Sequence, residues 1–94
     1  MYDQNKVIYK YPLRVSDRTI DLPNGAEILS VGIQNGYDMV LWAMVNPANE
    51  MIERNIRVLM TGEDFDLSEF NTYDFIGTAT NAAGIVAHVF VEGY

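Results

Sequence analysis

The chain has 94 residues, a length that fits one domain with a small core and a thin stability margin. It is 49% hydrophobic and 20% charged, unlike a disordered segment, and its zero cysteines exclude disulfides, thiolate catalysis and a cysteine-based zinc site. The formal net charge of −7 argues against non-specific nucleic-acid binding, which needs a basic face to displace counterions.

Turn signals come at short intervals: Pro12, Pro23-Asn24-Gly25, Asn35-Gly36, Asn46-Pro47, Thr61-Gly62 and Asn81-Ala82-Ala83-Gly84. This spacing suits short strands better than helices. About seven are expected, near 6–14, 18–22, 27–34, 38–46, 52–61, 72–79 and 84–92. The expected fold is all-β and mostly antiparallel, a small sandwich or a curled barrel formed by a single domain over 1–94. The first residues, MYDQNK, are acidic and polar and do not read as a signal peptide. On the first strand Lys6, Lys10 and Arg14 share a parity, with Tyr9 and Tyr11 on the other.

The third and fourth strands flank Asn35-Gly36, the strongest short hairpin signal, because a type I′ turn needs positive φ at both central residues. Leu29, Val31 and Ile33 share one face, against Ile28, Ser30, Gly32 and Gln34; Val40, Trp42 and Met44 oppose Met39, Leu41, Ala43 and Val45. Both faces are too apolar for water, so a second layer or a second chain must cover the face that the core does not use. Trp42 is expected to be largely buried. The small residues Ser30 and Gly32 would let another group approach the backbone closely. The longest wholly apolar run, Met39 to Val45, is too short to span a bilayer, so no membrane partner is expected.

The fifth strand alternates, with Ile52, Ile56, Val58, Met60 and Arg54 on one face and Glu53, Asn55, Arg57 and Thr61 on the other. Residues 63–70, EDFDLSEF, form a short helical turn or a loop. The last strand is again apolar on both faces, with Ile85, Ala87, Val89 and Val91 opposite Val86, His88 and Phe90.

Charge divides along the chain. Every Lys and Arg precedes residue 58, while Glu63, Asp64, Asp66, Glu69, Asp74 and Glu92 follow it. A solvated acidic end accounts for this, and so would two complementary surfaces meeting head to tail.

Several segments carry a resemblance: "YKYPL" at 9–13, "LPNGAEILSVGIQNG" at 22–36, "LWAMV" at 41–45, "TG" at 61–62, "FIGT" at 75–78 and "AHVF" at 87–90. The chain resembles a family of short β-rich proteins of unknown function encoded mainly in phage and prophage genomes. The resemblance covers roughly 7–91, and its specific part is the block from Leu22 to Gly36 followed by Leu41-Trp42-Ala43. The acidic insert after Thr61-Gly62 and the tail from Val91 to Tyr94 depart from the pattern. The resemblance implies a phage setting and a cytoplasmic location in the host cell. It carries over no activity and no catalytic residue.

The chemical inventory is sparse. His88 is the one histidine, and no serine lies in a Gly-flanked elbow, so no nucleophile–base pair is evident. One histidine and no cysteine argue against a protein-bound zinc or iron site. The carboxylates of 63–69 lack the spacing of a calcium loop, and no glycine-rich phosphate cradle is present. No catalytic residue, metal or cofactor is expected, and the protein is read as not an enzyme. One constellation could bind a ligand: Lys10, Arg14, Arg54 or Arg57, with Tyr37 or Trp42, could clamp a phosphorylated molecule by a bidentate bond plus stacking. Edge-strand charge that blocks aggregation is the alternative use of those cations. The expectation is therefore a phage-encoded accessory protein that acts by self-assembly, as a dimer first, and by docking on a phage or host protein. The second reading is a binder that sequesters a nucleotide-like signal.

Overall fold

A computed structural model of the protein describes residues 5–93. It contains seven strands: β1 (Val7–Pro12), β2 (Thr19–Pro23), β3 (Glu27–Gln34), β4 (Asp38–Val45), β5 (Met51–Met60), β6 (Tyr73–Thr80) and β7 (Val86–Glu92). The fold is all-β, as expected. The segment after Thr61-Gly62 contributes only a 3-10 turn, Leu67–Phe70.

The strands form two antiparallel, unclosed sheets, ordered β1-β4-β3 and β2-β5-β7-β6. Their inward faces share one core: Leu41, Ala43 and Val45 from β4 meet Ile56 and Val58 from β5, and Ala87, Val89 and Val91 from β7. The sheets come together where β3 lies beside β6. Gly77 makes that approach tight, since a Cβ there would sit 3.0 Å from Val31 Cγ1.

The Asn35-Gly36 turn has the expected backbone, with φ of 53° at Asn35 and 80° at Gly36. Tyr37 N donates to Gln34 O at 3.3 Å to close it. Strand pairing then starts at Gln34 and Asp38, leaving Tyr37 outside the ladder. The faces of β3 differ from simple alternation. A bulge between Ile28 and Ser30 takes Leu29 out of register. Ile28 therefore joins Val31 and Ile33 against the core, and Leu29 is left 44% exposed. A bulge adds one residue, and one residue reverses every side chain that precedes it.

The outward face of β4 is covered from within the sheet. Trp42 pairs with Ser30 and Lys10 on its two neighbours. Its ring lies over Gly32, where a Cβ would meet Trp42 Cζ3 at 2.9 Å. The group that uses the small side of β3 is thus the protein's own indole. Trp42 is half-buried on this outer face; it does not enter the core. Val40, beside Gly32 on the same face, is only 3% exposed.

Replacing Gly36 by Val places a β-branched residue where φ is positive and moves a Cβ to within 3.4 Å of Ala82 Cβ. We expect a loss of at least about 1 kcal/mol, read as a lower urea midpoint with an unchanged slope. An unchanged midpoint would refute the turn's role.

Candidate functional site

The loops at one end of the molecule build a large cleft. Leu13 N donates to Met39 O at 2.9 Å, which holds the chain leaving β1 against β4. Beyond it, Arg14 and Asp17 close a tight turn: Arg14 N donates to Asp17 Oδ2 at 2.8 Å and Asp17 N to Arg14 O at 3.0 Å. Across the cleft, Ala82 N donates to Gly36 O at 2.7 Å, pinning the β3–β4 turn to the β6–β7 turn. The resulting space has a volume of about 560 Å³. Leu13, Ile33, Met39 and Ala87 give it apolar walls, and Lys10, Arg14, Tyr37 and Asp38 add polar groups.

Three of the six residues expected to bind a ligand are therefore brought together: Lys10, Arg14 and Tyr37. Lys10 Nζ donates to Gln34 Oε1 at 2.7 Å, across the outer face of the sheet. Tyr37 is 64% exposed, because the turn pushes it out of the ladder.

The other three lie elsewhere, and each has a structural task. Trp42 covers Gly32. Arg54 faces inward from β5 and donates to Ala26 O at 3.2 Å and Glu92 O at 3.3 Å, bridging the β2–β3 loop and the end of β7. Arg57 faces outward, where its guanidinium pairs with Glu69 at 3.3 Å and lies 4.9 Å from the centre of the Phe70 ring. The expected clamp of an arginine with Trp42 is not assembled.

Arg57 belongs to an aromatic cap on the outer face of the second sheet. Phe70, on the 3-10 turn, packs at 5.2 Å from Phe65, 5.5 Å from Tyr73 and 5.3 Å from Phe90, centre to centre. Phe75 continues the cluster at 5.3 Å from Phe90. The cap covers the outward face of β7, which sequence patterning marked as too apolar for water. The acidic segment serves it: Asp66 caps the 3-10 turn, accepting from Ser68 N at 3.0 Å and Ser68 Oγ at 2.8 Å. Those two bonds hold the Asp66 carboxyl below its ordinary range.

His88, on β7 beside the cap, places Nε2 2.7 Å from Thr61 Oγ1 and Nδ1 2.9 Å from Thr78 Oγ1. Both ring nitrogens thus meet hydroxyls of the protein itself. Among the described residues no cluster of three His, Asp or Glu side chains could hold a metal, and no helix is long and apolar enough to cross a membrane.

Sequence reading missed Asn81, which also lines the cleft. Its Oδ1 accepts from Ala83 N at 2.9 Å and Ile85 N at 3.0 Å, which fixes the carboxamide and makes its amino group a preset donor. The Asn-Ala-Ala-Gly run signals the turn but not what else borders it.

A family model described as a domain of unknown function, DUF7352, matches residues 4–93. No curated protein and no solved structure matches the chain.

Two outcomes follow from these contacts. Phe70 is only 6% exposed, so Phe70→Ala should cost about 3–5 kcal/mol in urea unfolding, and a loss below about 1 kcal/mol would show the cap to be dispensable. Glu92 accepts from Thr72 Oγ1 at 2.6 Å and Asn55 Nδ2 at 2.8 Å, and these bonds, Thr72's first, depress its folded-state pKa. The stability this provides is full above the unfolded carboxylate value and is lost as pH falls through the lower folded value. The stability gap between the wild type and Glu92→Gln should therefore shrink as pH drops through the carboxylate range; a constant gap from neutral pH to pH ~3 would contradict the assignment.

Proposed function

We propose, for a chain that belongs to the DUF7352 family of domains of unknown function, a non-enzymatic role exercised by self-association and docking on other proteins. The single observation that carries this reading is the open edge of the first sheet. Strand β1 has β4 on one side and no other described strand on the other. Val7, Ile8 and Tyr9 are exposed in a row there, and Ile8 reaches 60%. A flat apolar edge with free backbone groups is a template for another strand, and Lys10 is the only charge that β1 carries to blunt it. A second copy is the occupant, as a two-fold dimer, the commonest closed assembly. Antiparallel pairing of β1 with its counterpart would join two three-stranded sheets into one. The sequence resemblance supports a phage setting and the host cytoplasm as its place of action, with a phage or host protein as further partner.

Light scattering at micromolar concentration tests the reading. The wild type should show about twice the 10.6 kDa chain mass, and Ile8→Lys, on an exposed position, should return the single-chain mass with the fold kept. A mass of 10.6 kDa that does not change with dilution or salt would overturn self-association.

A further inference from the structure

The cleft at the turn end makes a case independent of the β1 edge. Thirteen acidic residues surround six basic ones in this chain, so an unpaired cation is not forced by any shortage of acids. The guanidinium of Arg57 is nonetheless committed to Glu69 and Phe70. Lys10 and Arg14 form no ion pair with any described acid, and both line this cleft. Lys10 is steadied by a neutral partner, the Gln34 carboxamide, which leaves its charge uncompensated. Asp38 on the same wall opposes two cations, so the cleft keeps a surplus of positive charge within a strongly acidic molecule.

The remaining groups narrow the ligand. Tyr37 offers an exposed ring beside apolar walls of Leu13 and Ile33. Asn81 offers an amino group whose orientation two backbone bonds have set. The volume of about 560 Å³ falls in the ordinary range for small-molecule sites. An inorganic anion would leave the ring and the apolar walls unused, and an uncharged ring compound would leave the cations unused.

We propose that this cleft binds a phosphate ester of a planar ring compound, of mononucleotide size. Arg14 and Lys10 receive the phosphate, Arg14 through the two parallel N–H groups that suit phosphate oxygens. Tyr37 stacks on the ring, and the Asn81 amino group meets an acceptor on the ring's edge. No bond is made or broken. The pinning bond from Ala82 N to Gly36 O preforms the two facing walls, so little ordering is needed on binding.

The test is calorimetry on the whole chain with AMP, GMP, CMP and UMP, each against its nucleoside and against inorganic phosphate. At least one mononucleotide should bind about tenfold or more tightly than both its nucleoside and phosphate, with affinity falling as salt rises. Arg14→Gln and Tyr37→Ala should each lower that affinity about tenfold, while Arg18→Gln, outside the cleft, should not. Both cleft residues lie on the surface, and circular dichroism will report whether the variants keep the fold. Binding of none of the four at millimolar concentration, equal binding of the nucleoside, or affinity that survives Arg14→Gln would each overturn the proposal. Repeating the titration in Ile8→Lys, which leaves the cleft untouched, separates failure of this site from failure of self-association.

Discussion

Strand β4 is apolar on both faces, and the architecture is a solution to that constraint. Its inward residues, Leu41, Ala43 and Val45, are completely buried and form the middle of the core. Its outward residues cannot use the core, so β4 takes the middle of its sheet, between β1 and β3. Trp42 then folds over Gly32, where the missing side chain leaves room. Strand β7 meets the same difficulty with a different answer. The 3-10 turn brings Phe70 onto Phe90, and Arg57 holds the turn down through Glu69. Each sheet thus hides its second face with local material, which a chain of this size has little of.

This economy decides where the cations go. Arg54 and Arg57 are spent on joints, one binding two carbonyl oxygens, in the β2–β3 loop and at the end of β7, and the other anchoring the cap. Burial of an arginine's stem along apolar surface is cheap when its head finds acceptors, and both find them. Lys10 and Arg14 are left on a stretch of surface, the wall of the cleft, where neither core nor cap needs them. What distinguishes the cleft is therefore as much a matter of which cations the fold does not consume as of the cleft's shape.

Much of the fold was legible in the sequence because its cues are local. Asn35-Gly36 dictates positive φ whatever surrounds it, and the alternation of β5 and the two-sided apolarity of β4 and β7 follow from side-chain order alone. The site was half legible. Lys10, Arg14 and Tyr37 converge, but their convergence depends on two turns meeting across the sheets at Gly36 and Ala82, and no periodicity encodes that. Arg54 and Arg57 looked available because their partners, Ala26, Glu69, Phe70 and Glu92, are remote along the chain or irregular in structure. The bulge at Leu29 was invisible for a related reason: it depends on the register with β4, and a single strand read alone carries no register.

The order of strands in the second sheet has a consequence for synthesis. Strand β7 is the last in chain order yet lies inside its sheet, between β5 and β6. As the polypeptide leaves the ribosome, β5 emerges with β2 to pair with, but no strand is yet present to join β5 to β6. The first sheet, complete by Val45, can zip early through the β3–β4 hairpin. The second must wait for the segment from Val86 to Glu92, which inserts between two strands already made. Folding is then governed by one late, long-range insertion, and translation leaves a half-built β-sheet open for as long as that segment stays in the exit tunnel.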